Sequence, residues 1–312
     1  MKIILVDTFG KDAAFRIADE DLPYIKADEV LIKTKVAGVN PIDLKTKDGE
    51  GVSELCTLPA CLGWDIAGTI ERVGIGVKDF QEGDHVFGLV NFPGDGRCYA
   101  EYVSAHKDHI APMPMGLTWE EAGSAPLVFL TAWQALVNTA QIRKGLRVLV
   151  HGAAGGLGHA LVQVAKKIGA YVIGTASAKN HDFCKSIGCD EVIDYTTSMF
   201  EDECSDIDYV MDTIGGDVTL RSLKVMRPYG MLVNFTASLT QEEIELAEAM
   251  NIKATFMIVK SSGDDLKELL YYFENQDFIV EVEKVYPPEE IEQCLKRLSL
   301  GHNRGKIALK FS

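Results

Sequence analysis

Hydrophobic and polar residues alternate over short runs in the first third of the chain, and glycine or turn residues separate those runs. The clearest runs are residues 29–36, 68–73 and 84–89, and residues 1–6 are typical of a first strand. Because successive side chains of a strand point to opposite faces, this alternation indicates strands with one buried face. We therefore predict a β-rich domain here, either a partly open barrel or a sandwich.

From residue 145 onward the pattern changes, and short apolar runs alternate with segments of helical length. This alternation is typical of βαβ units and predicts a doubly wound parallel sheet, so the fold class is α/β. A capping box, in which Thr240 is followed by Glu243, marks one helix start. The predicted strands of this sheet are residues 147–151, 171–175, 191–193, 209–211, 231–235 and 253–259.

The end of the chain predicts helices at residues 265–272 and 288–300, a strand at 278–285 and a final strand at 306–311. A strand that follows so complete a βα series need not join the same sheet, and we expect it to return to the first domain. The predicted division is a β-rich domain of residues 1–122 and 277–312 around an α/β domain of residues 123–276.

Composition and charge narrow the class of protein. With 47% hydrophobic and 25% charged residues, the 312-residue chain matches an ordinary globular protein. Its formal net charge of −15 repels nucleic-acid phosphates and anionic lipid surfaces, and no basic patch offsets it, so we predict neither a nucleic-acid nor a membrane partner. The uncharged stretch at residues 122–142 contains Pro126 and three polar amides, which favours a buried helix start over a bilayer span.

The seven cysteines are scattered along the chain without a C-x-x-C pair. This pattern argues against a disulfide framework and against a structural zinc lobe. The apolar N-terminal run is too short for a signal peptide. Reduced thiols and a cytoplasmic location are therefore expected.

The most informative stretch is a glycine-rich turn that connects an apolar strand directly to a helix. Glycine lets the backbone approach a pyrophosphate closely, and the free N–H groups at a helix N-terminus attract an anion. The spacing departs from G-x-G-x-x-G, so a tight turn without a ligand is the alternative. The residues predicted to bind dinucleotide phosphates are Ala154, Gly155, Gly156, Leu157 and Gly158.

The end of the second strand of this unit distinguishes NAD from NADP. A carboxylate there binds the ribose 2′-hydroxyl of NAD, whereas a cationic residue accepts the 2′-phosphate of NADP. Here the strand is followed by Ser177 and Lys179, and the next acidic residue is Asp182. We predict NADP, with an ordinary solvated lysine as the alternative for Lys179.

Four further segments make the chain resemble the medium-chain dehydrogenase/reductase superfamily over nearly its whole length. The resemblance implies a GroES-like catalytic domain followed by a Rossmann-type cofactor domain. The segments are Gly-Val-Asn-Pro-Ile-Asp at 38–43, Leu-Gly-Trp-Asp-Ile-Ala-Gly-Thr-Ile at 62–70, Phe-Gln-Glu-Gly-Asp-His-Val-Phe-Gly at 80–88 and Leu-Thr-Ala at 130–132.

Zinc-binding members of that superfamily carry Cys-His-x-Asp and Gly-His-Glu where this chain has Asn40-Pro41-Ile42-Asp43 and Gly63-Trp64-Asp65. The third ligand position, usually a cysteine, falls at residues 126–128, which are Pro, Leu and Val. Because catalytic zinc needs about three protein ligands, we predict no metal. The chain is similar to the zinc-independent branch of quinone oxidoreductases and enone (2-alkenal) reductases.

The resemblance implies two catalytic residues. Asn40 maps onto an asparagine beside the nicotinamide, although it also reads as a helix N-cap with Pro41 at the first helical position and Asp43 at the third. Lys45 stands where enone-reducing relatives often carry lysine, and a cationic donor stabilises and helps to protonate an enolate oxygen. Surface solvation is the alternative for Lys45, as it is for Lys47.

The resemblance also implies cofactor contacts outside the turn. Some of these residues follow strand ends, where open α/β sheets bind ligands. The residues assigned in this way are Asn40 and Thr131 beside the nicotinamide, Tyr195 near the 2′-phosphate or adenine, Ile214, Phe235 and Thr236 along the dinucleotide, and Arg304 and Lys306 at its phosphates.

The implied function is metal-independent hydride transfer from NADPH to a quinone or to the C=C bond of an α,β-unsaturated carbonyl compound. Two alternatives stay open: an enoyl-thioester or alcohol/aldehyde substrate, and a non-catalytic NADPH-binding protein like the lens crystallins of this branch. The apolar run at residues 256–259 is an aggregation hazard if its strand edge is left unpaired. A homodimer through that edge is therefore predicted, with a strand covered by its own chain as the alternative.

Overall fold

Residues 1–311 are described by a computed structural model, and their secondary structure follows the two patterns seen in the sequence. The strands are β1 (Lys2–Val6), β2 (Phe15–Asp19), β3 (Glu29–Val39), β4 (Asp65–Val73), β5 (His85–Leu89), β6 (Tyr102–His106), β7 (Ile110–Pro112), β8 (Arg147–Val150), β9 (Tyr171–Thr175), β10 (Glu191–Ile193), β11 (Ile207–Asp212), β12 (Met226–Asn234), β13 (Lys253–Phe256), β14 (Val282–Tyr286) and β15 (Lys306–Lys310). The helices are α1 (Pro41–Lys47), α2 (Trp119–Ser124), α3 (Pro126–Trp133), α4 (Gly156–Ile168), α5 (His181–Ser186), α6 (Phe200–Glu203), α7 (Asp217–Leu223), α8 (Gln241–Ala249), α9 (Gly263–Glu274) and α10 (Ile291–Ser299).

The chain divides into two compact units. The first unit contains Met1–Leu130 and the part of the chain that begins at Val259, and the second unit is Thr131–Ile258. The sequence predicts the divisions at 122 and 277 instead. The second boundary comes earlier than predicted because α9 belongs to the first unit. In that unit Phe273 packs against Phe87 and Phe129, with ring centroids 6.3 and 4.9 Å apart.

The first unit is built around a mixed sheet in the order β14-β15-β3-β4-β5-β7, with β6 paired to β3. The long strand β3 pairs antiparallel with β4, β6 and β15. Because Ile307 pairs with Val39, the end of the described chain joins the first unit, as predicted. This pairing places the start of β15 beside the end of β3, where Asn40 begins α1.

Helix α2 packs so closely on β3 that glycine is needed on both elements. A Cβ atom on Gly38 would lie 2.6 Å from the carbonyl oxygen of Gly123, and a Cβ atom on Gly123 would lie 2.7 Å from the carbonyl oxygen of Val36. No side chain fits such distances without moving backbone. Gly38, two residues before Asn40, therefore allows α2 to pack closely on β3.

The second unit is a parallel sheet in the order β10-β9-β8-β11-β12-β13. Its core is formed by inward-facing residues of the four central strands, among them Leu149, Ile173, Val210 and Leu232, all fully buried. The strand order reverses between β8 and β11, and in open α/β sheets ligands bind outside the carboxyl ends of the strands at such a point. The predicted α/β class, with a Rossmann-type sheet and a β-rich GroES-like domain, is confirmed.

Several predicted strands differ in their bounds from the observed ones, β13 and β14 among them. β13 ends at Phe256 although the prediction runs to residue 259, and β14 covers Val282–Tyr286 although the prediction begins at 278. The uncharged stretch at 122–142 forms the end of α2, the whole of α3 and a π-helical turn at Gln134–Thr139. Within residues 1–311, no helix combines the length and the apolar character that a bilayer span requires.

Candidate functional site

The glycine-rich turn leads from β8 into α4, with Gly155 as the N-cap residue and no acidic residue in the first helical turn. Gly152 has a φ of 63°, which favours glycine. A Cβ atom on Gly158 would lie 2.0 Å from the carbonyl oxygen of Gly152, so the helix starts directly against the turn. The first N–H groups of a 13-residue helix are able to bind an anion, and this is the role that the sequence predicts for the turn.

A buried histidine positions this turn. The pKa of His151 is lowered to about 4 by burial, so the imidazole is neutral at pH 7. The Ser222 hydroxyl donates to the carbonyl oxygen of Val218, at 2.6 Å, and its oxygen therefore accepts from His151 Nε2–H at 2.8 Å. His151 Nδ1 then accepts from Thr175 Oγ1 at 3.3 Å, and Gly152 N–H donates to that same hydroxyl at 3.1 Å. The end of β9 thus fixes the first glycine of the turn.

Two buried polar residues shape the loops that follow β11 and β12. Asp212 Oδ1 accepts from the backbone N–H groups of Ile214 and Gly215, both at 2.9 Å. Asn234 Oδ1 accepts from the backbone N–H of Thr236 at 2.7 Å and from its hydroxyl at 2.9 Å. The sequence predicts Ile214, Phe235 and Thr236 as cofactor contacts but gives Asp212 and Asn234 no role of their own. The signal of these two residues is a polar side chain at the end of an apolar strand.

The end of β9 carries no carboxylate. Ser177 precedes a short 3₁₀ turn at Ala178–Asn180, and the Lys179 side chain in that turn is exposed. Tyr195, which follows β10, is 45% exposed. The nearby Asp194 carboxylate accepts from the backbone N–H of Thr196 at 3.0 Å and from its hydroxyl at 2.7 Å. The hydroxyl groups of Ser177 and Tyr195 and the Lys179 ammonium suit a phosphate at the strand end, whereas the Asp194 carboxylate would repel one.

The structure thus brings the predicted cofactor residues of the second unit to one edge of its sheet, because each of them follows the carboxyl end of a parallel strand. Thr131 differs, since it is a buried residue of α3. The residues at the sheet edge are Ala154, Gly155, Gly156, Leu157 and Gly158 after β8, Ser177 and Lys179 after β9, Tyr195 after β10, Ile214 after β11, and Phe235 and Thr236 after β12.

In the first unit, Asn40 is the N-cap residue of α1, with Pro41 at the first helical position. The Asp43 carboxylate accepts from the Asn40 backbone N–H, which confirms the helix-start reading. Asn40 is only 1% exposed, and its side-chain Nδ2 donates to Asp65 Oδ2 at 2.9 Å. Lys306 Nζ donates to Asn40 Oδ1 and lies 3.5 Å from Asp65 Oδ2. We call Asn40, Asp43, Asp65 and Lys306 the buried polar cluster.

The prediction that Lys306 binds cofactor phosphates is not compatible with its position. Its side chain is 3% exposed, and its ammonium also donates to the carbonyl oxygen of Val39 at 3.3 Å. Burial lowers the pKa of Lys306 and raises the pKa of Asp65, and the attraction between the two groups opposes both shifts. Arg304 stays half-exposed, but its guanidinium pairs with Glu281 at 2.6 Å.

The two lysines of α1 differ. Lys45 is half-buried on the helix. Lys47 is not the solvated lysine that the sequence suggests, because its ammonium donates to the carbonyl oxygens of Lys11 and Ala13 at 3.2 and 3.1 Å and pairs with Asp48 at 2.9 Å. Lys47 therefore ties α1 to the segment between β1 and β2.

The buried polar cluster makes stability depend on pH. Burial raises the pKa of Asp43 to about 7, well above its value of about 3.9 in an unfolded chain. The folded state therefore retains a proton that the unfolded state loses. The contribution of this group to stability is complete below about pH 4 and is lost as the pH rises to about 7. Asp43→Asn keeps the acceptor for Asn40 N–H and abolishes this titration. We expect the stability of the variant relative to wild type to rise by about 2 kcal/mol between pH 5 and pH 7.

Denaturant unfolding at several pH values measures this difference. A stability difference between Asp43→Asn and wild type that is the same at pH 5 and pH 8 would contradict a titration of Asp43 in this range.

Asp65 and Trp64 stand where zinc-binding relatives have ligands, and both form hydrogen bonds within this chain. One Asp65 oxygen faces Lys306 and Asn40, and the other accepts from the backbone N–H of Leu127 at 2.6 Å. Trp64 Nε1 donates to the carbonyl oxygen of Gly94 at 2.6 Å. Within residues 1–311, no cluster of three or more His, Cys, Asp or Glu side chains has the geometry of a metal site.

Two family models match this chain. The model of the alcohol dehydrogenase GroES-like domain matches residues 26–115, and that of the zinc-binding dehydrogenases matches residues 187–309. The chloroplastic NADPH-dependent alkenal/one oxidoreductase of Arabidopsis thaliana is 31% identical over 297 residues, which cover 92% of this chain and 73% of that protein.

Solved structures agree as well. The quinone oxidoreductase of Coxiella burnetii superposes with a TM-score of 0.92 at 33% identity, over 100% of this chain and 99% of that one. A mycobacterial protein solved with NADPH superposes with a TM-score of 0.87 at 27% identity, over 100% of each chain. The chain therefore belongs to the medium-chain dehydrogenase/reductase superfamily, in the group that contains the alkenal/one and quinone oxidoreductases.

Proposed function

We propose that the protein is an NADPH-dependent reductase that acts, without a metal, on quinones or on the C=C bond of α,β-unsaturated carbonyl compounds. The observation that carries the proposal is the glycine turn at the open N-terminus of α4, which His151 and Thr175 fix at the switch point of the sheet. Relatives named as NADPH-dependent alkenal/one oxidoreductases and quinone oxidoreductases support the choice of reaction.

The residues have distinct parts in this reaction. When bound, NADPH supplies the hydride. The N–H groups at the start of α4 bind the pyrophosphate, and Ser177, Lys179 and Tyr195 bind the 2′-phosphate. Asn40 and Lys45 donate hydrogen bonds to the substrate oxygen as it gains negative charge, and Lys45 delivers the proton directly or through water.

The metal-free part of the proposal rests on the buried polar cluster. A zinc ion needs about three free donor groups, whereas both Asp65 oxygens are already bonded and one of them faces the Lys306 ammonium. A divalent cation at this place would be repelled by that ammonium. The proposed reaction therefore has no step that depends on zinc.

A small substrate panel tests the function. NADPH oxidation is followed with a 2-alkenal, a quinone, an enoyl thioester and an aldehyde, and NADPH binding is measured in parallel by fluorescence. We expect turnover with the alkenal or the quinone. Preferred turnover of the thioester or the aldehyde would favour the other substrate class, and binding without turnover across the panel would indicate a non-catalytic NADPH-binding protein.

Lys179→Ala tests the choice of cofactor. Because a lysine–phosphate hydrogen bond is charge-assisted, we expect the KM for NADPH to rise about tenfold while the KM for NADH stays unchanged. Lys185→Ala, at another exposed lysine on the neighbouring helix α5, is the matched control and leaves both values unchanged. An unaltered NADPH preference in Lys179→Ala would assign the 2′-phosphate site elsewhere.

We also propose a homodimer through the edge of the parallel sheet. β13 is the terminal strand of that sheet, and Ile258 just beyond it is 41% exposed. Ile258→Glu is expected to convert a dimer into a monomer in sedimentation at micromolar concentration, because it buries a charge in the interface. Ile244→Glu on α8, where the side chain is 37% exposed, is the control. A wild-type monomer would contradict the proposal.

A further inference from the structure

Asn40 is held by two charged residues that are themselves buried. Asp65 is 0% exposed, and Lys306 is 3% exposed. We infer that Asp65 and Lys306 are positioning residues that fix the Asn40 carboxamide in one orientation; this inference rests on the catalytic role proposed for Asn40.

The two contacts select one of the two ways in which an amide group can lie. An amide oxygen only accepts hydrogen bonds and an amide nitrogen only donates them. Lys306 Nζ donates to Asn40 Oδ1, and Asn40 Nδ2 donates to Asp65 Oδ2 at 2.9 Å. The flipped amide would place its nitrogen against the ammonium and its oxygen against the carboxylate. Both contacts would then be repulsive, so only the observed orientation is allowed.

The positioning residues are fixed in turn by backbone groups. Asp65 Oδ1 accepts from the N–H of Leu127 at the start of α3, at 2.6 Å, and Lys306 Nζ donates to the carbonyl oxygen of Val39 at the end of β3, at 3.3 Å. A Cβ atom on Gly38 would lie 2.8 Å from Asp65 Oδ2, so glycine leaves room for the carboxylate. The amide is therefore set by several elements of the fold and not by its own helix alone.

Stability alone does not account for these charges. A buried ion pair replaced by apolar residues of similar volume often leaves a protein equally stable or more stable, because desolvation offsets the attraction. What the apolar pair lacks is a distinction between the oxygen and the nitrogen of a neighbouring amide. The charges of Asp65 and Lys306 supply that distinction.

The fixed orientation also determines what Asn40 offers to a ligand. Nδ2 carries two hydrogens, and Asp65 accepts one of them. Asn40 Oδ1 faces the Lys306 ammonium, so in this orientation the second N–H of Nδ2 is the group that would bind a ligand. A donor suits a carbonyl oxygen that becomes negatively charged during hydride transfer.

A double-mutant cycle tests the inference. The paired variant Asp65→Asn/Lys306→Met carries no unpaired charge from this pair and retains an acceptor for Leu127 N–H. Asn40→Ser, which keeps a helix-capping residue type, is made in the wild-type and in the paired background. In each protein kcat, the Kd for NADPH and Tm are measured.

In the wild-type background we expect Asn40→Ser to lower kcat on the order of 100-fold. In the paired background we expect it to lower kcat by less than about threefold, because the amide is no longer oriented. An equal loss of kcat in both backgrounds would overturn the inference and leave the role of Asn40 intact. No loss in either background, with turnover otherwise normal, would overturn the role of Asn40 and the inference together.

If Asp65 and Lys306 served stability alone, the paired variant would have a lower Tm, and Asn40→Ser would still lower kcat equally in both backgrounds. Should the paired variant fail to fold, Asp65→Asn/Lys306→Gln takes its place, since it also removes both charges and keeps a polar side chain at each position. The same reduction in the effect of Asn40→Ser is then expected, and an undiminished effect would overturn the inference.

Discussion

Lys306→Met is expected to lower the free energy of unfolding by about 3–5 kcal/mol, because it leaves buried carboxyl groups without their cation. Asp65 and Asp43 are each fully buried, and the attraction of Lys306 favours the ionised form of both. Without Lys306 these groups either take up protons or bear uncompensated charge. Denaturant unfolding at pH 8 measures the loss.

Two variants show that the effect belongs to the pair of charges. Adding Asp65→Asn to Lys306→Met should restore most of the lost stability, since the variant then lacks both charges. Lys310→Met is the matched control on the same strand, because Lys310 pairs with Glu120 at the surface and its side chain is 58% exposed. The control should change stability by about 0.5 kcal/mol or less. If Lys306→Met lost no more stability than the Lys310→Met control, the result would contradict the burial of the Lys306 ammonium.

Gly158→Ala is expected to weaken NADPH binding on the order of 100-fold, because the first turn of α4 has to shift. The new Cβ atom would lie 2.0 Å from the carbonyl oxygen of Gly152, and that backbone oxygen cannot move without displacing the glycine turn. The N–H groups that bind the pyrophosphate move with it. Fluorescence titration with NADPH measures the effect.

The same turn offers a graded control. A Cβ atom on Gly155 would lie 3.2 Å from the same Gly152 oxygen, which a shift of a few tenths of an ångström relieves. Gly155→Ala should therefore weaken binding less than Gly158→Ala does. Equal affinities of wild type and Gly158→Ala would contradict the assignment of this turn to the cofactor phosphates.

Local pattern was sufficient for much of the fold. Strand spacing predicted the parallel sheet, and the observed strands Tyr171–Thr175 and Glu191–Ile193 have the predicted bounds. The Asn-Pro-x-Asp segment predicted the start of α1, and Thr240 with Glu243 predicted that of α8. Each of these signals depends on residues a few positions apart, so the sequence displays them directly.

The buried polar cluster depends on distant residues. Lys306 reaches Asn40 across 266 positions, only because β15 pairs with β3. A lysine after a glycine gives no local sign of burial, so the sequence pattern wrongly assigns Lys306 to the cofactor phosphates. His151 was missed for a similar reason, since its partners Thr175 and Ser222 lie on other elements. The division at α9 likewise follows from the packing of Phe273 on distant rings.

The central claim is metal-independent reduction with NADPH, and one measurement tests it most directly. NADPH oxidation with a 2-alkenal and with a quinone is measured on protein whose zinc content is determined in the same sample, before and after treatment with a chelator. We predict turnover of at least one substrate, unchanged by the chelator, with far less than one zinc ion per chain. Stoichiometric zinc together with loss of turnover on chelation would contradict the account.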